Sequence, residues 1–202
     1  MKRRTFLQGA VLGTLTSCRP AEEAKEVTVT ILHTNDIHGH LTAWRGWDAD
    51  LKGKTVGGLG RLAGAIARER TVAGAANVLL LDAGDLLGDT MIADLTEGKA
   101  LIEALNLLKY DALTVGNHEP DFGTDTLKRR MAEASFSTVA CNLTEKASGR
   151  LFTRPYVILH VAGVKVGVLG LAYPKTARTT APKNVAAVEF HPPGPAVKEH
   201  LP

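Results

Sequence analysis

The sequence predicts an α/β fold built on a mainly parallel sheet. Three observations carry that reading. Apolar runs of strand length alternate with segments of helical periodicity. Three of the runs, 27–33 (VTVTILH), 78–81 (VLLL) and 112–115 (ALTV), each lead into a short polar cluster. Those clusters are Asp36-Ile37-His38, Gly84-Asp85 and Gly116-Asn117-His118-Glu119. Parallel strands point their C-terminal ends the same way, and open α/β sheets place their sites in the crevice beyond those ends.

The elements follow in order. A polar loop, 44–54, holds both tryptophans after the first strand. Residues 57–72 read as a helix with Leu59, Leu62, Ala63, Ile66 and Ala67 on one face. The second strand ends at Asp82, and 97–109 is a helix with Leu101, Ile102, Leu105 and Leu108 at helical spacing. The third strand runs to Gly116, 124–134 is a helix and 136–140 a fourth strand. Two apolar runs, 156–161 and 164–171, flank Ala162-Gly163 and predict an antiparallel hairpin. Six of the nine prolines fall from Pro174 onward, so no complete strand or helix is expected there, only a helix start at 195–201. Gly58-Leu59-Gly60-Arg61-Leu62-Ala63 fits a loose dinucleotide pattern. That pattern needs a strand directly before it, and here a polar loop precedes it, so the glycines read as a close-packed helix start.

Composition sets the outer bounds. The 202 residues are 45% hydrophobic and 22% charged, enough to bury one core. Lys2, Arg3 and Arg4 account for the whole net charge of +3, and no basic block with interleaved aromatics follows. Nucleic acid is therefore not an expected partner. Lys2-Arg3-Arg4-Thr5-Phe6-Leu7-Gln8 resembles a twin-arginine export signal, and the apolar stretch 9–15 is too short to span a bilayer. Leu15-Thr16-Ser17-Cys18 resembles a lipobox with Cys18 as the acylated residue. The chain thus reads as a signal over 1–18, a tether over 19–26 and a globular part over 27–202. The implied location is the periplasm or cell envelope, reached by twin-arginine export, with a membrane anchor through lipid. Cys141 has no second body cysteine to pair with and reads as a small buried side chain.

The polar clusters carry the chemistry. Carboxylate, imidazole and amide oxygen make a hard-to-borderline ligand set suited to Zn, Mn or Fe. A carboxylate can bridge two cations, and a pair about 3.5–4 Å apart can hold the attacking and leaving oxygens of a phosphoryl group. Asp85, from the middle of the three strands, is the expected bridge. Asp36 and His38 would hold one divalent ion and Asn117 the other. His118 would face the substrate and stabilise or protonate the leaving oxygen, with Asp121 orienting its imidazole.

Asp36-x-His38, Gly84-Asp85 and Gly116-Asn117-His118-Glu119 resemble the first three motifs of the calcineurin-like metallophosphoesterases. The longer strings 32–39 (LHTNDIHG), 81–85 (LDAGD) and 110–119 (YDALTVGNHE) are similar to the branch of periplasmic 5'-nucleotidases and UDP-sugar hydrolases. Residues 161–171 and 181–185 extend that likeness, which covers roughly 27–192. It implies a four-layer αββα sandwich, incomplete at the C-terminus, with a two-metal centre. By motif match, Asp36, His38, Asp85 and Asn117 take ligand roles and His118 with Asp121 the catalytic dyad. The implied substrate is a nucleotide or nucleotide sugar. The family's later histidine motifs, including a Gly-His-x-His string, are absent, and His160, His191 and His200 stand in no such string. Nor does a nucleoside-gripping C-terminal domain follow. Pro120 replaces the aromatic usual between Glu119 and Asp121. The chain is therefore expected to be the N-terminal portion of a longer enzyme and weak or inactive alone. The alternatives are a lipid-anchored, non-catalytic binding remnant, or the same fold acting on cyclic nucleotides or a sulfur ester.

Overall fold

The computed structural model describes residues 26–46 and 50–201. The twin-arginine segment and Cys18 lie outside the described residues.

The chain opens with β1 (Thr30–Thr34), then a two-residue pair, β2 (Trp44–Arg45) and β3 (Thr55–Val56), which forms an antiparallel ribbon. α1 (Leu59–Ala73) leads to β4 (Val78–Asp82). Two helices follow, α2 (Met91–Thr96) and α3 (Lys99–Leu108), then β5 (Ala112–Thr114), α4 (Thr124–Glu133) and β6 (Ser137–Val139). β7 (Leu143–Glu145), β8 (Tyr156–Val161) and β9 (Val164–Leu169) come next. α5 (Thr176–Thr179), β10 (Val188–Phe190) and α6 (Pro193–His200) complete the set.

The parallel sheet has the order β1-β4-β5-β6, with Thr34 level with Asp82 and Asp82 level with Leu113. Sequential strands are spatial neighbours, so successive right-handed crossovers set their helices on one side. The core shows it: Ile66 of α1 and Leu101, Ile102 and Leu105 of α3 cluster with Leu80 and Leu113 of the sheet. Leu101 and Leu105 are fully buried, and burial of such side chains is worth about 1.5–3 kcal/mol each. The opposite sheet face carries Ile31 and His33, both exposed, and meets Val168, Leu169 and Leu171 across a cavity of about 360 Å³. A second core joins Val115, Leu127, Leu143, Phe152 and Val188 beyond the sheet edge.

The predicted hairpin forms as β8–β9, and its turn residues Ala162 and Gly163 sit at φ 51° and 81°. Positive φ at both positions is what a tight two-residue hairpin turn demands. Four expectations need correction. The loop 44–54 is bordered by the β2–β3 ribbon rather than being loop throughout. α2 precedes the expected 97–109 helix, started by Thr90, whose hydroxyl accepts the Ala93 N–H. An unexpected strand, β7, follows Cys141, which is buried as its sequence reading has it. The proline-rich tail holds both β10, paired with β7, and a complete α6 that begins at Pro193. Proline is compatible with a first helical turn, where its missing N–H has no partner to lose.

Candidate metal centre

Strand ends set the site. Beyond β1, the N–H groups of Asp36, His38 and Gly39 donate to the carbonyls of Gly84, Asp85 and Leu86 at 2.9–3.0 Å. The loop after β1 is thereby zipped to the loop after β4. Close approach of the third loop requires glycine. A Cβ on Gly84 would lie 2.7 Å from the Gly116 nitrogen, and one on Gly116 would lie 2.2 Å from Asp85 Oδ1. Asp36, His38, Asp85 and Asp89 all hold positive φ, between 46° and 60°. They are four of the seven such non-glycine residues among the described ones, so left-handed strain is concentrated here.

Asp36, His38 and Asp85 each bring a ligand atom within 4.8 Å of the others. His38 Nε2 lies 3.5 Å from Asp36 Oδ1. Two carboxylates and an imidazole converging this way suit a hard-to-borderline divalent cation, so the residues fit the metal that the sequence predicts. Asn117 comes to the same sheet edge. It shares with Asp85, Gly116 and Tyr173 the lining of a cavity of about 410 Å³, and its carbonyl accepts the Thr180 hydroxyl at 2.6 Å.

His118 stands between the Asp36–His38–Asp85 cluster and the carboxylate of Asp121. Its N–H donates to Asp85 Oδ1 at 2.9 Å, and its Nδ1 lies 2.7 Å from Asp121 Oδ2. Burial lowers the His118 pKa, but the Asp121 hydrogen bond and the charges of Asp121, Asp85 and Asp89 outweigh it, and the net direction is up. The rings of His38 and His118 meet edge to face at 4.7 Å. Pro120 is fully buried and leaves the His118–Asp121 pair intact. Of the other histidines, His191 places Nε2 2.7 Å from the Thr144 hydroxyl.

Two residues here escaped sequence reasoning. Glu119, 2% exposed, accepts three backbone N–H groups: Leu86 on Oε1, Asp85 and Gly116 on Oε2, at 2.6–3.0 Å. Burial pushes its pKa up to about 7 against those three bonds. Its signal was its place in Gly-Asn-His-Glu. The other is Asp89, whose Oδ2 lies 2.7 Å from His38 Nδ1. The echo of Gly84-Asp85 in Gly88-Asp89 was the available hint.

Residues 29–171 match the model of the calcineurin-like phosphoesterase family. The chain is 31% identical to Protein UshA of Yersinia enterocolitica over 88% of its own length and 31% of that protein's. It is 30% identical to a 5'-nucleotidase of Vibrio parahaemolyticus over 97% of its own length and 35% of that protein's. A crystal structure of a 5'-nucleotidase precursor from Thermus thermophilus superposes with a TM-score of 0.71 at 32% identity, covering 85% of this chain and 33% of that one. The chain thus spans about a third of the length of the curated relatives it matches. Strand-end carboxylates, imidazoles and amide gathered at one sheet edge, together with that match over most of its length, make the chain a member of the calcineurin-like phosphoesterase family.

Proposed function

We propose that this chain is the metal-binding portion of a two-metal phosphohydrolase that acts on nucleotides or nucleotide sugars outside the cytoplasm. The convergence of Asp36, His38 and Asp85 within 4.8 Å is the observation that carries the reading. Asp36, His38 and Asp85 would hold one ion, and Asp85 with Asn117 the other. When bound, such ions polarise the phosphoryl oxygens and supply hydroxide near neutral pH. The protein's own groups do the rest. Asp85 Oδ1 accepts the His118 N–H and so fixes the imidazole's backbone beside the ligands. Asp121 holds Nδ1, which leaves Nε2 to hand a proton to the leaving oxygen. The names of the relatives support a nucleotide substrate. The twin-arginine and lipobox segments support export and lipid anchoring.

Bridging by Asp85 gives one ion three protein ligands and the other two, below the four that a tightly held ion commonly has. Slow turnover by the 202-residue chain is therefore expected. Metal analysis, phosphate release from AMP and sugar-phosphate release from a nucleotide sugar test the reading. Metal bound by the wild type and lost in Asp85→Ala, with phosphate release lost in His118→Ala while metal stays, supports it. A wild-type chain that takes up no Mn²⁺ or Zn²⁺ refutes it.

A further inference from the structure

His118 and His38 both have a carboxylate beside Nδ1, hydrogen-bonded at His118 and not at His38, and the motifs encode only the first. Each has a carboxylate oxygen 2.7 Å from Nδ1, Asp121 for His118 and Asp89 for His38. His38 Nε2 is then turned toward Asp36 Oδ1, on the side of the proposed cation. We propose that Asp89 is the positioning residue of His38, holding Nδ1 so that Nε2 faces the ion shared with Asp36 and Asp85.

Three features support it. His38 Nδ1 is buried and, among the described residues, makes no aligned hydrogen bond, so it is a polar atom still in need of a partner. Asp89 Oδ2 lies 2.7 Å away without the alignment of a hydrogen bond, and bonds of this kind often align only in the complex. The segment that carries Asp89 is also built against the imidazoles. A Cβ on Gly88 would lie 2.9 Å from His118 Nδ1, so only glycine lets the turn approach this closely. The Thr90 hydroxyl donates to the Gly39 carbonyl at 3.1 Å, tying the start of α2 to the residue after His38. A carboxylate on the outer nitrogen of a ligating histidine sets its tautomer and orientation and raises its basicity.

This inference rests on the proposed metal centre, and the test separates the two. The metal-free chain is titrated with Mn²⁺ by calorimetry, and the histidine tautomers are read by ¹⁵N NMR. Asp89→Gly removes the carboxylate and suits the φ of 60°, so the fold is expected to persist. Its Mn²⁺ affinity should fall about 10- to 100-fold, with His38 losing its fixed Nδ1–H tautomer. Asp89→Asn, whose carbonyl can accept from Nδ1, should restore part of both. Affinity within twofold of wild type in Asp89→Gly, while Asp85→Ala binds nothing, overturns the role of Asp89 and leaves the centre standing. Loss in Asp89→Gly as complete as in Asp85→Ala makes Asp89 a ligand and overturns positioning. No Mn²⁺ uptake by the wild type, or uptake untouched by Asp85→Ala, overturns the centre and this proposal together.

Discussion

Replacing Glu119 should loosen the joint between the three loops. Its two oxygens accept the N–H groups of Asp85, Leu86 and Gly116. Alanine strands all three donors in a site that is 2% exposed. Each stranded buried donor costs about 1–3 kcal/mol, so Glu119→Ala should cost about 3–9 kcal/mol. A domain of this kind has about 5–15 kcal/mol in total, so much of the stability is at stake. Glutamine separates hydrogen bonding from charge. With its carbonyl on the Oε2 side it keeps the Asp85 and Gly116 bonds and strands only the Leu86 N–H, a cost of about 1–3 kcal/mol. It also sheds the buried charge, whose cost is what raises the Glu119 pKa to about 7. The gap between the alanine and glutamine variants is then two hydrogen bonds, about 2–6 kcal/mol. Urea unfolding at pH 8 without metal measures it, and amide exchange at Asp85, Leu86 and Gly116 shows whether protection is lost there. Equal stability of the two variants, or a loss under about 1 kcal/mol in Glu119→Ala, would falsify the clamp.

Three further outcomes are expected. Asp82 is buried, and that burial raises its pKa from 3.8 to about 6 despite bonds from the Thr34 hydroxyl and Gly84 N–H. A raised carboxyl pKa penalises the folded state only where the group ionises, so Asp82→Asn should match wild type below about pH 4 and be about 3 kcal/mol more stable above about pH 6; a pH-independent difference in denaturant titrations of metal-free protein contradicts this. Gly116→Ala drives a Cβ to 2.2 Å from Asp85 Oδ1 and should abolish Mn²⁺ uptake in metal analysis while circular dichroism stays native; unchanged uptake counts against the packing argument. Asn142 is fully buried and binds both the N–H and carbonyl of Ala172 and the carbonyl of His191. Asn142→Ala should cost about 3–5 kcal/mol in urea unfolding, and a cost below about 1 kcal/mol contradicts that bookkeeping.

What could be read in the sequence was whatever periodicity or local chemistry writes in one stretch. β4 is apolar over Val78, Leu79, Leu80 and Leu81 because both its faces are covered, and such a run stands out against polar flanks. α3 was legible because Leu101, Ile102 and Leu105 recur at helical spacing on the buried face. The six residues of α2 and the two-residue strands β2 and β3 are too short to show a period. β7 and β10 exist through each other, across more than 40 positions of chain, so neither stretch declares itself alone.

The site divides along the same line. Asp36, His38, Asp85, Asn117 and His118 could be nominated because each follows a strand, and a parallel sheet turns strand ends into neighbours. Nothing local predicts what holds them in place. Glu119 reaches back 33 residues to Leu86, and Asp89 reaches His38 across 51. These contacts act on backbone held at positive φ, which relaxes away unless its surroundings over-determine it. A motif can therefore name candidate ligands, whereas the groups that keep their strained loop in place are visible only once the loops have met. For that reason a chain with all five motif residues but without Glu119 should fail to hold metal for a structural reason that no inspection of its motifs would reveal.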